Sequence, residues 1–179
     1  MKSEMICAGF GGQGALTIGK FMVKAGMTEG KHVSWLPSYG PEMRGGTANV
    51  TTVISDKPVG SPIISYSDIL IALNQPSIDK FGPDIKKGGL LIYNEDMCPE
   101  GIKRDDIDII KAPMTSIAIE IGSPRVLNMV AIGIIIGKTG IVKKETMIKS
   151  ISALQAKAPE LYEMNLIAID KGYEIGKQL

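Results

Sequence analysis

The sequence predicts an α/β fold: a three-layer α/β/α sandwich on a largely parallel, mixed sheet, with a Rossmann-like start and a helical C-terminal third. Short apolar runs alternate with segments of helical periodicity through the first two thirds of the chain. The first run enters a glycine-dense turn that opens a helix, and the last third is helix-like. At 179 residues the chain has the usual size of one domain, so we expect a single domain over 1–179.

Six runs are predicted as strands from their apolar and β-branched residues and their turn-forming borders. In chain order they are Met5 to Gly9, His32 to Leu36, Thr47 to Ser55, Ile69 to Leu73, Gly89 to Tyr93 and Ile107 to Lys111. In open α/β sheets, ligands gather beyond the carboxyl ends of the strands. Polar clusters fall at four such ends, namely Gly11 to Gly14, Ser38 to Gly46, Asn74-Gln75 and Asn94-Glu95.

The helices are predicted from apolar residues at helical spacing, with glycine and proline at their borders. The first covers Ala15 to Glu29 and ends at Gly30, and a second begins with Pro76 in its first turn. In the last third, the predicted helices are Thr115 to Ile121, Val126 to Lys138, Lys143 to Ala158 and a weaker segment after Glu160.

Composition excludes several function classes. With 20 Lys and Arg against 19 Asp and Glu, the chain has no basic field for nucleic acid. The most apolar stretch, Met129 to Ile136, is too short to cross a bilayer, and the N-terminus lacks a signal-peptide pattern, so we expect no membrane contact and a cytoplasmic protein. Cys7 and Cys98 alone cannot build a metal site or an iron–sulfur cluster, and Cys7 is predicted as a buried apolar residue.

The glycine-dense turn is the strongest local signal. Gly9, Gly11 and Gly14 fit the G-x-G-x-x-G spacing, which places a helix N-terminus where an anion can bind. A nicotinamide or flavin dehydrogenase needs an acidic residue at the end of the second strand, where this chain has Pro37 and Ser38. A P-loop is also excluded at this turn, because no Gly-Lys-Ser/Thr follows it and Gln13-Gly14-Ala15 occupies the helix start. The turn suits a phosphate or another subunit's backbone, or it only packs strand against helix.

Three further polar positions stand out, and two of them have two interpretations each. Arg44, in the second glycine loop, can grip phosphate or carboxylate, or it belongs to a solvated surface turn. Asn74 can contact a ligand, but followed by Pro76 it fits a helix N-cap better. Asn128 lies in an apolar segment and is predicted as a hydrogen-bonded structural amide.

Four motifs occur in order along the chain: Gly9 to Gly14, Trp35 to Ala48, Asn74 to Ser77 and Asn128 to Val130. Together they resemble the gamma subunits of 2-oxoacid:ferredoxin oxidoreductases. The resemblance is greatest to the separate gamma chains of the 2-oxoglutarate and 2-ketoisovalerate enzymes, and the smaller subunit of indolepyruvate:ferredoxin oxidoreductase is the neighbouring alternative. A stand-alone nucleotide-binding dehydrogenase and a purely structural interaction module are the alternatives outside the family.

The resemblance implies a complex that decarboxylates a 2-oxoacid on thiamine diphosphate, passes electrons through iron–sulfur clusters to ferredoxin and transfers the acyl group to coenzyme A. This chain has neither a Gly-Asp-Gly element nor a cysteine set for a cluster. Thiamine diphosphate and the clusters are therefore expected on alpha, beta and delta-type partner subunits. The isolated chain is expected to be inactive, with no catalytic residue and no metal of its own, and it could form a homodimer through its exposed docking surface.

The resemblance also implies which residues would contact coenzyme A or a partner subunit. The glycine turn would take the phosphate end, because the diphosphate and 3′-phosphate suit a glycine-lined helix start and an arginine. The implied residues are Gly11, Gly12, Gln13 and Gly14, with Ser38, Tyr39, Arg44 and Asn74 as neighbours.

Overall fold

The computed structural model of the chain describes residues 1–40 and 46–178. It contains a six-stranded sheet in the order β2-β3-β1-β4-β5-β6, in which β3 runs antiparallel to both neighbours and the other pairs are parallel. The predicted α/β class with a largely parallel, mixed sheet is confirmed. The strands are β1 (Lys2–Phe10), β2 (His32–Tyr39), β3 (Thr47–Ser55), β4 (Ser67–Ala72), β5 (Ile85–Asn94) and β6 (Asp108–Ala112).

The strand β2 is longer than the sequence predicts. It continues past Leu36 through Ser38 and Tyr39, which the sequence assigned to the second glycine loop. Pro37 is tolerated because β2 is an edge strand that pairs with β3 alone. Both β1 and β2 run antiparallel to β3, so they point in the same direction. Their carboxyl ends therefore lie on the same side of the sheet.

Seven helices complete the described fold. A larger hydrophobic core joins the sheet to six of them, and a smaller core on the other face lies under α2 and irregular segments that contain Ile64 and Ile102. Neighbouring residues of β1 alternate between the cores, Cys7 in the larger one and Ile6 in the smaller one. The helices are α1 (Ala15–Thr28), α2 (Gln75–Phe81), α3 (Met114–Ile121), α4 (Leu127–Thr139), α5 (Lys144–Ile151), α6 (Leu154–Lys157) and α7 (Pro159–Gln178).

The C-terminal helices differ from the prediction in two ways. The helix predicted over Lys143 to Ala158 is divided into α5 and α6, and at the break the Ser152 hydroxyl donates to the carbonyl of Lys149 at 2.8 Å. This hydroxyl satisfies a carbonyl at the end of α5. The segment described as weak after Glu160 is the 20-residue helix α7.

Four glycines explain why α7 is stable in spite of its weak pattern. Gly133 and Gly137 on α4 face Gly172 and Gly176 on α7. A Cβ atom added to Gly133 would lie 2.8 Å from the backbone nitrogen of Tyr173 and 2.9 Å from the Cα atom of Gly172. The two helices therefore touch backbone to backbone, and only residues without a Cβ atom allow that approach.

Candidate functional site

The glycine turn connects β1 to α1. It contacts the second glycine loop at Gly46, the residue of that loop that directly precedes β3. Gly12 and Gly14 adopt the left-handed region, with φ of +97° and +86°, which glycine occupies without steric cost. The amide of Gly11 donates to the carbonyl of Gly46 at 2.8 Å. Thus two of the polar clusters that the sequence placed at strand ends do come together.

The Gln13 side chain holds this turn in place. Its Oε1 accepts a hydrogen bond from the Phe10 amide at 2.6 Å, and its Nε2 donates to the Leu73 carbonyl at 3.3 Å. Asn74 donates from Nδ2 to the same Oε1 at 3.4 Å. Gln13 and Asn74 therefore lie together beside the turn, with their amides bonded to the chain itself.

The N-terminus of α1 is open. Within the described residues no side chain caps it, and its first turn contains no acidic residue. The amide of Ile18 is bonded to the carbonyl of Gly14, so the amides of the three preceding residues have no acceptor inside the helix. These N–H groups and the positive end of the helix dipole together attract an anion.

A cleft of about 440 Å³ lies in front of this helix end. Its walls include Gly12, Gly14 and Thr17 from the turn and α1, and Arg125 and Asn128 from the start of α4 and the turn before it. The cleft has the size of small-molecule sites, which run from roughly 300 to 1,000 Å³. It is therefore large enough to hold the phosphate-bearing part of a nucleotide.

Arg125 lies at this cleft, and the sequence analysis did not single it out. It is exposed at the wall of the cleft, in a 3-10 turn (Pro124–Val126) that Ser123 caps by accepting from the Arg125 amide at 3.3 Å. Its guanidinium has no hydrogen bond or ion pair to any of the residues that the structure describes. A free guanidinium beside an open helix N-terminus suits a phosphate or carboxylate. The signal available in the sequence was a lone arginine directly before an apolar helix.

Asn128 also differs from its prediction. Its Oδ1 is buried, as predicted, but it accepts no hydrogen bond from the described part of the chain, so the predicted hydrogen bonding is wrong for this atom. Its Nδ2 lies 3.0 Å from where a Cβ atom of Gly14 would stand. The Asn128 side chain therefore packs closely against the turn at Gly14, with its unpaired Oδ1 buried.

A second cleft of about 270 Å³ lies on the other side of the turn. It is lined by Phe10, Gly11 and Gly12, and by Tyr39 from β2, whose side chain is half exposed. Ser38 precedes Tyr39 in the strand and so faces the opposite side of the sheet. Arg44 lies outside the described residues.

The N-termini of α2 and α3, which begin on the same side of the sheet, are capped by side chains. For α2, Asn74 Oδ1 accepts from the amide and the hydroxyl of Ser77 at 3.0 and 2.6 Å, which is the cap that the sequence favoured. For α3, Asn94 Oδ1 accepts from the Met114 amide at 3.0 Å, and Asp96 accepts from the Ser116 amide at 2.8 Å. Of these three helix ends, α1 alone is left for a ligand.

The cysteines do not add chemistry to the site. Cys7 is fully buried in the larger core, as predicted, and burial raises the pKa of its thiol. Burial raises the pKa of Cys98 to about 12, with a smaller contribution from the charge of Asp79. Both thiols are therefore protonated near neutral pH and poorly nucleophilic.

Over residues 1–40 and 46–178, no cluster of three His, Cys, Asp or Glu side chains could hold a metal ion. No helix in the same residues is long and apolar enough to cross a membrane.

Known proteins resemble this chain over nearly its whole length. Residues 4–175 match the family model described as pyruvate ferredoxin/flavodoxin oxidoreductase. The chain is 40% identical to the 2-oxoglutarate synthase subunit KorC of Methanocaldococcus jannaschii, covering 100% of this chain and 96% of KorC. It is 38% identical to the ketoisovalerate oxidoreductase subunit VorA of Methanothermobacter thermautotrophicus, covering 96% of this chain but 36% of VorA. The chain thus spans about a third of the length of that longer relative.

Solved structures show the same fold. The gamma subunit of a keto/oxoacid ferredoxin oxidoreductase from Geobacter sulfurreducens has a TM-score of 0.83 at 30% identity, covering 99% of both chains. The 2-oxoglutarate:ferredoxin oxidoreductase of Magnetococcus marinus, solved with 2-oxoglutarate, coenzyme A and succinyl-CoA bound, has a TM-score of 0.88 at 26% identity. There this chain covers 31% of a longer chain. Because the family model matches residues 4–175 and KorC is 40% identical over 96% of its length, the chain belongs to the pyruvate ferredoxin/flavodoxin oxidoreductase family.

Proposed function

We infer that this chain is the gamma subunit of a multi-subunit 2-oxoacid:ferredoxin oxidoreductase, which oxidatively decarboxylates 2-oxoglutarate or 2-ketoisovalerate and transfers the acyl group to coenzyme A. The observation that carries this proposal is the end-to-end match to separate subunits of the same length. KorC of Methanocaldococcus jannaschii and the Geobacter sulfurreducens gamma subunit are both covered over at least 96% of their length. A domain of this size and composition fits one subunit of such a complex.

In this proposal the chain is a non-catalytic subunit. Its described residues offer no metal cluster, and its two thiols are protonated and buried. Thiamine diphosphate and the iron–sulfur clusters then belong to alpha, beta and delta-type partners, and ferredoxin is reached through the assembled complex. The reacting atoms of the substrate are held by those partners.

The contribution of this chain to the reaction is contact with coenzyme A. The open end of α1 supplies free amides, and Arg125 supplies a guanidinium without a partner among the described residues, both beside one cleft. Coenzyme A carries a diphosphate and a 3′-phosphate, and these amides and this guanidinium suit such groups. The related Magnetococcus marinus enzyme was solved with coenzyme A and succinyl-CoA bound, which is consistent with this role.

Purification of the complex from the native host tests the assignment. We expect the chain to co-elute with subunits that contain thiamine diphosphate and iron–sulfur clusters. The assembly should reduce ferredoxin with 2-oxoglutarate or 2-ketoisovalerate in a reaction that requires coenzyme A. A pure single chain with saturable NAD binding, or an assembly active on indolepyruvate alone, would contradict it.

The substitution Arg125→Met tests the contact with coenzyme A. Charge-assisted hydrogen bonds contribute roughly 1.5 to 3 kcal/mol, so KM for coenzyme A should rise at least about tenfold. KM for the 2-oxoacid and the assembly itself should be unchanged. Lys20→Met is the matched control, because Lys20 is an exposed cation on α1 outside the cleft. An unchanged KM for coenzyme A in Arg125→Met would exclude this residue from the site.

A further inference from the structure

We propose that a pocket beside the cleft at α1 holds the base of an adenine nucleotide, and that Asn165 of α7 recognises this base. The proposal rests on the function inferred above and deepens it, because it assigns the adenine end of coenzyme A to particular residues. The pocket, called the inner pocket below, has a volume of about 260 Å³. Its walls include Thr17 and Phe21 from α1, Met129 from α4, Leu154 from α6, and Leu161 and Asn165 from α7.

The inner pocket and the cleft adjoin each other. Thr17, Arg125 and Asn128 line both spaces, so these three residues form a shared wall. A ligand with a phosphate at the N-terminus of α1 and at Arg125 therefore has the inner pocket within reach of its neighbouring group.

Asn165 is the unusual residue of this pocket. It is only 3% exposed, and the residues one helical turn further along α7, Ala168 and Ile169, are fully buried and apolar. Its side chain has no hydrogen bond to any residue that the structure describes. Neither of its amide atoms is completely enclosed, in contrast to the Oδ1 of Asn128. The hydrogen-bonding groups of Asn165 are therefore left for a molecule in the inner pocket.

An unpartnered buried amide is costly for a folded chain. Burial removes the amide from water, and without a new partner the lost hydrogen bonds are not replaced. Such groups in native proteins call for an explanation. A ligand that hydrogen-bonds to Asn165 supplies one.

The chemistry of the walls indicates which part of a ligand binds there. Apart from Arg125 on the shared wall, the residues that line the inner pocket are uncharged, so the pocket does not suit a second phosphate. Phe21 adds an aromatic ring, and aromatic rings are surfaces on which bases stack. An asparagine amide pairs with adenine by accepting from the exocyclic amine and donating to the ring nitrogen N7. A flat, uncharged base with both donors and acceptors therefore fits these walls.

The direction of coenzyme A follows from its chemistry. The acyl group is transferred to the thiol, and in the proposed function the reacting atoms are held by partner subunits. The thiol arm must therefore point away from this chain. Because the inner pocket is lined by residues of this chain alone, it suits the opposite end of the molecule, which is the adenine nucleotide.

Equilibrium binding of two ligands to the assembled complex tests the assignment. The first is coenzyme A, and the second is its analogue with hypoxanthine in place of adenine, which keeps the phosphates but has no exocyclic amine. The wild-type complex should bind the analogue about tenfold more weakly, as measured by Kd in equilibrium dialysis. Asn165→Leu should bind both ligands with the same weak affinity. Arg125→Met should weaken both ligands by the same factor and keep the preference for adenine.

Thermal unfolding of the isolated chain provides a readout that does not depend on the complex. Asn165→Leu replaces an unpartnered amide by an apolar group of similar size, so the thermal midpoint should stay the same or rise by about 2 to 4 °C. Asn165→Ala is a second variant that adds no bulk, and it should lose the same preference for adenine. Glu163→Leu, at an exposed position of α7, is the control and should keep both the affinity and the preference.

The outcomes distinguish this proposal from the proposed function. If the wild type binds both ligands equally, or if both Asn165 variants keep the preference, the base binds elsewhere and the proposed function stands. If both variants lose the preference together with several degrees of thermal midpoint, Asn165 only supports the fold and the assignment is overturned. If the wild-type complex binds AMP and coenzyme A at the same time, the inner pocket does not belong to coenzyme A. If no assembly with coenzyme A-dependent ferredoxin reduction forms, the proposed function itself fails.

Discussion

Glycine serves opposite purposes in two regions of this molecule. In the turn before α1, Gly12 has nothing within 4 Å of the place where a Cβ atom would stand, and the residue borders two clefts. In the contact between α4 and α7, the backbone of the opposite helix occupies the space where a Cβ atom of Gly133 or Gly172 would stand. Gly12 leaves space in which a ligand can bind. Gly133 and Gly172 instead allow two helices to pack closely against each other.

The difference teaches that glycine content alone does not locate a site. At the α4 and α7 contact, missing Cβ atoms are a requirement of packing, so substitution there should cost stability. At the turn, they expose backbone amides to solvent or ligand, so substitution at the open position should cost binding. Stability and ligand affinity, measured on the same set of variants, therefore separate the two uses.

The largest effect on stability is expected for Gly172→Ala. A Cβ atom there would lie 3.0 Å from the Cα atom of Gly133 and from the amide nitrogen of Ile134, and it would also contact the carbonyl of Val130. Overpacking against backbone should reduce the free energy of unfolding by about 3 kcal/mol, although glycine to alanine ordinarily stabilises a helix by roughly 0.5 to 1 kcal/mol. Urea unfolding of the chain measures it. Lys171→Ala, at the neighbouring exposed position, is the control and should change stability by less than about 0.5 kcal/mol.

A smaller loss is expected for Gly14→Ala. Its φ of +86° costs an L-residue roughly 1 to 2 kcal/mol, and the new Cβ atom would lie 3.0 to 3.3 Å from the Asn128 side chain. That side chain is flexible and can give way, so we expect a total loss of about 2 kcal/mol. The same unfolding experiment checks it. A loss as large as that of Gly172→Ala would mean that the turn is packed as tightly as the helix contact, and the distinction would fail.

The sequence predicts the glycine turn, but it does not predict the glycine contact between α4 and α7. Gly9, Gly11 and Gly14 stand between an apolar run and an amphipathic segment, so their spacing indicates a strand, a turn and a helix. The glycines of α4 and α7 are separated by more than 30 residues in the chain. Nothing local indicates that they meet. The helix α7 therefore looked weak, since its stability depends on a contact between distant segments.

The candidate site was predictable to a similar extent. The turn, the helix end and the cap formed by Asn74 follow from local rules about glycine, proline and asparagine. Arg125 was not found, because it precedes a different helix and reaches the cleft only through the packing of α4 beside α1. The order of the strands could not be predicted for the same reason. The position of β3 between β1 and β2 depends on pairing between residues that are distant in the sequence.

The measurement that tests the account most directly is the affinity of the assembled complex for coenzyme A in the variant Gly12→Ala. The new methyl group would point into open space between the two clefts, where the ligand is expected. Gly30→Ala is the matched control, because Gly30 has φ of +76°, nothing within 4 Å of its Cβ position and a place at the far end of α1. We predict that Gly12→Ala weakens coenzyme A binding by about tenfold, that Gly30→Ala leaves it unchanged, and that both lose a similar 1 to 2 kcal/mol or so of stability. Equal affinity in the two variants would contradict the assignment of the glycine turn to coenzyme A.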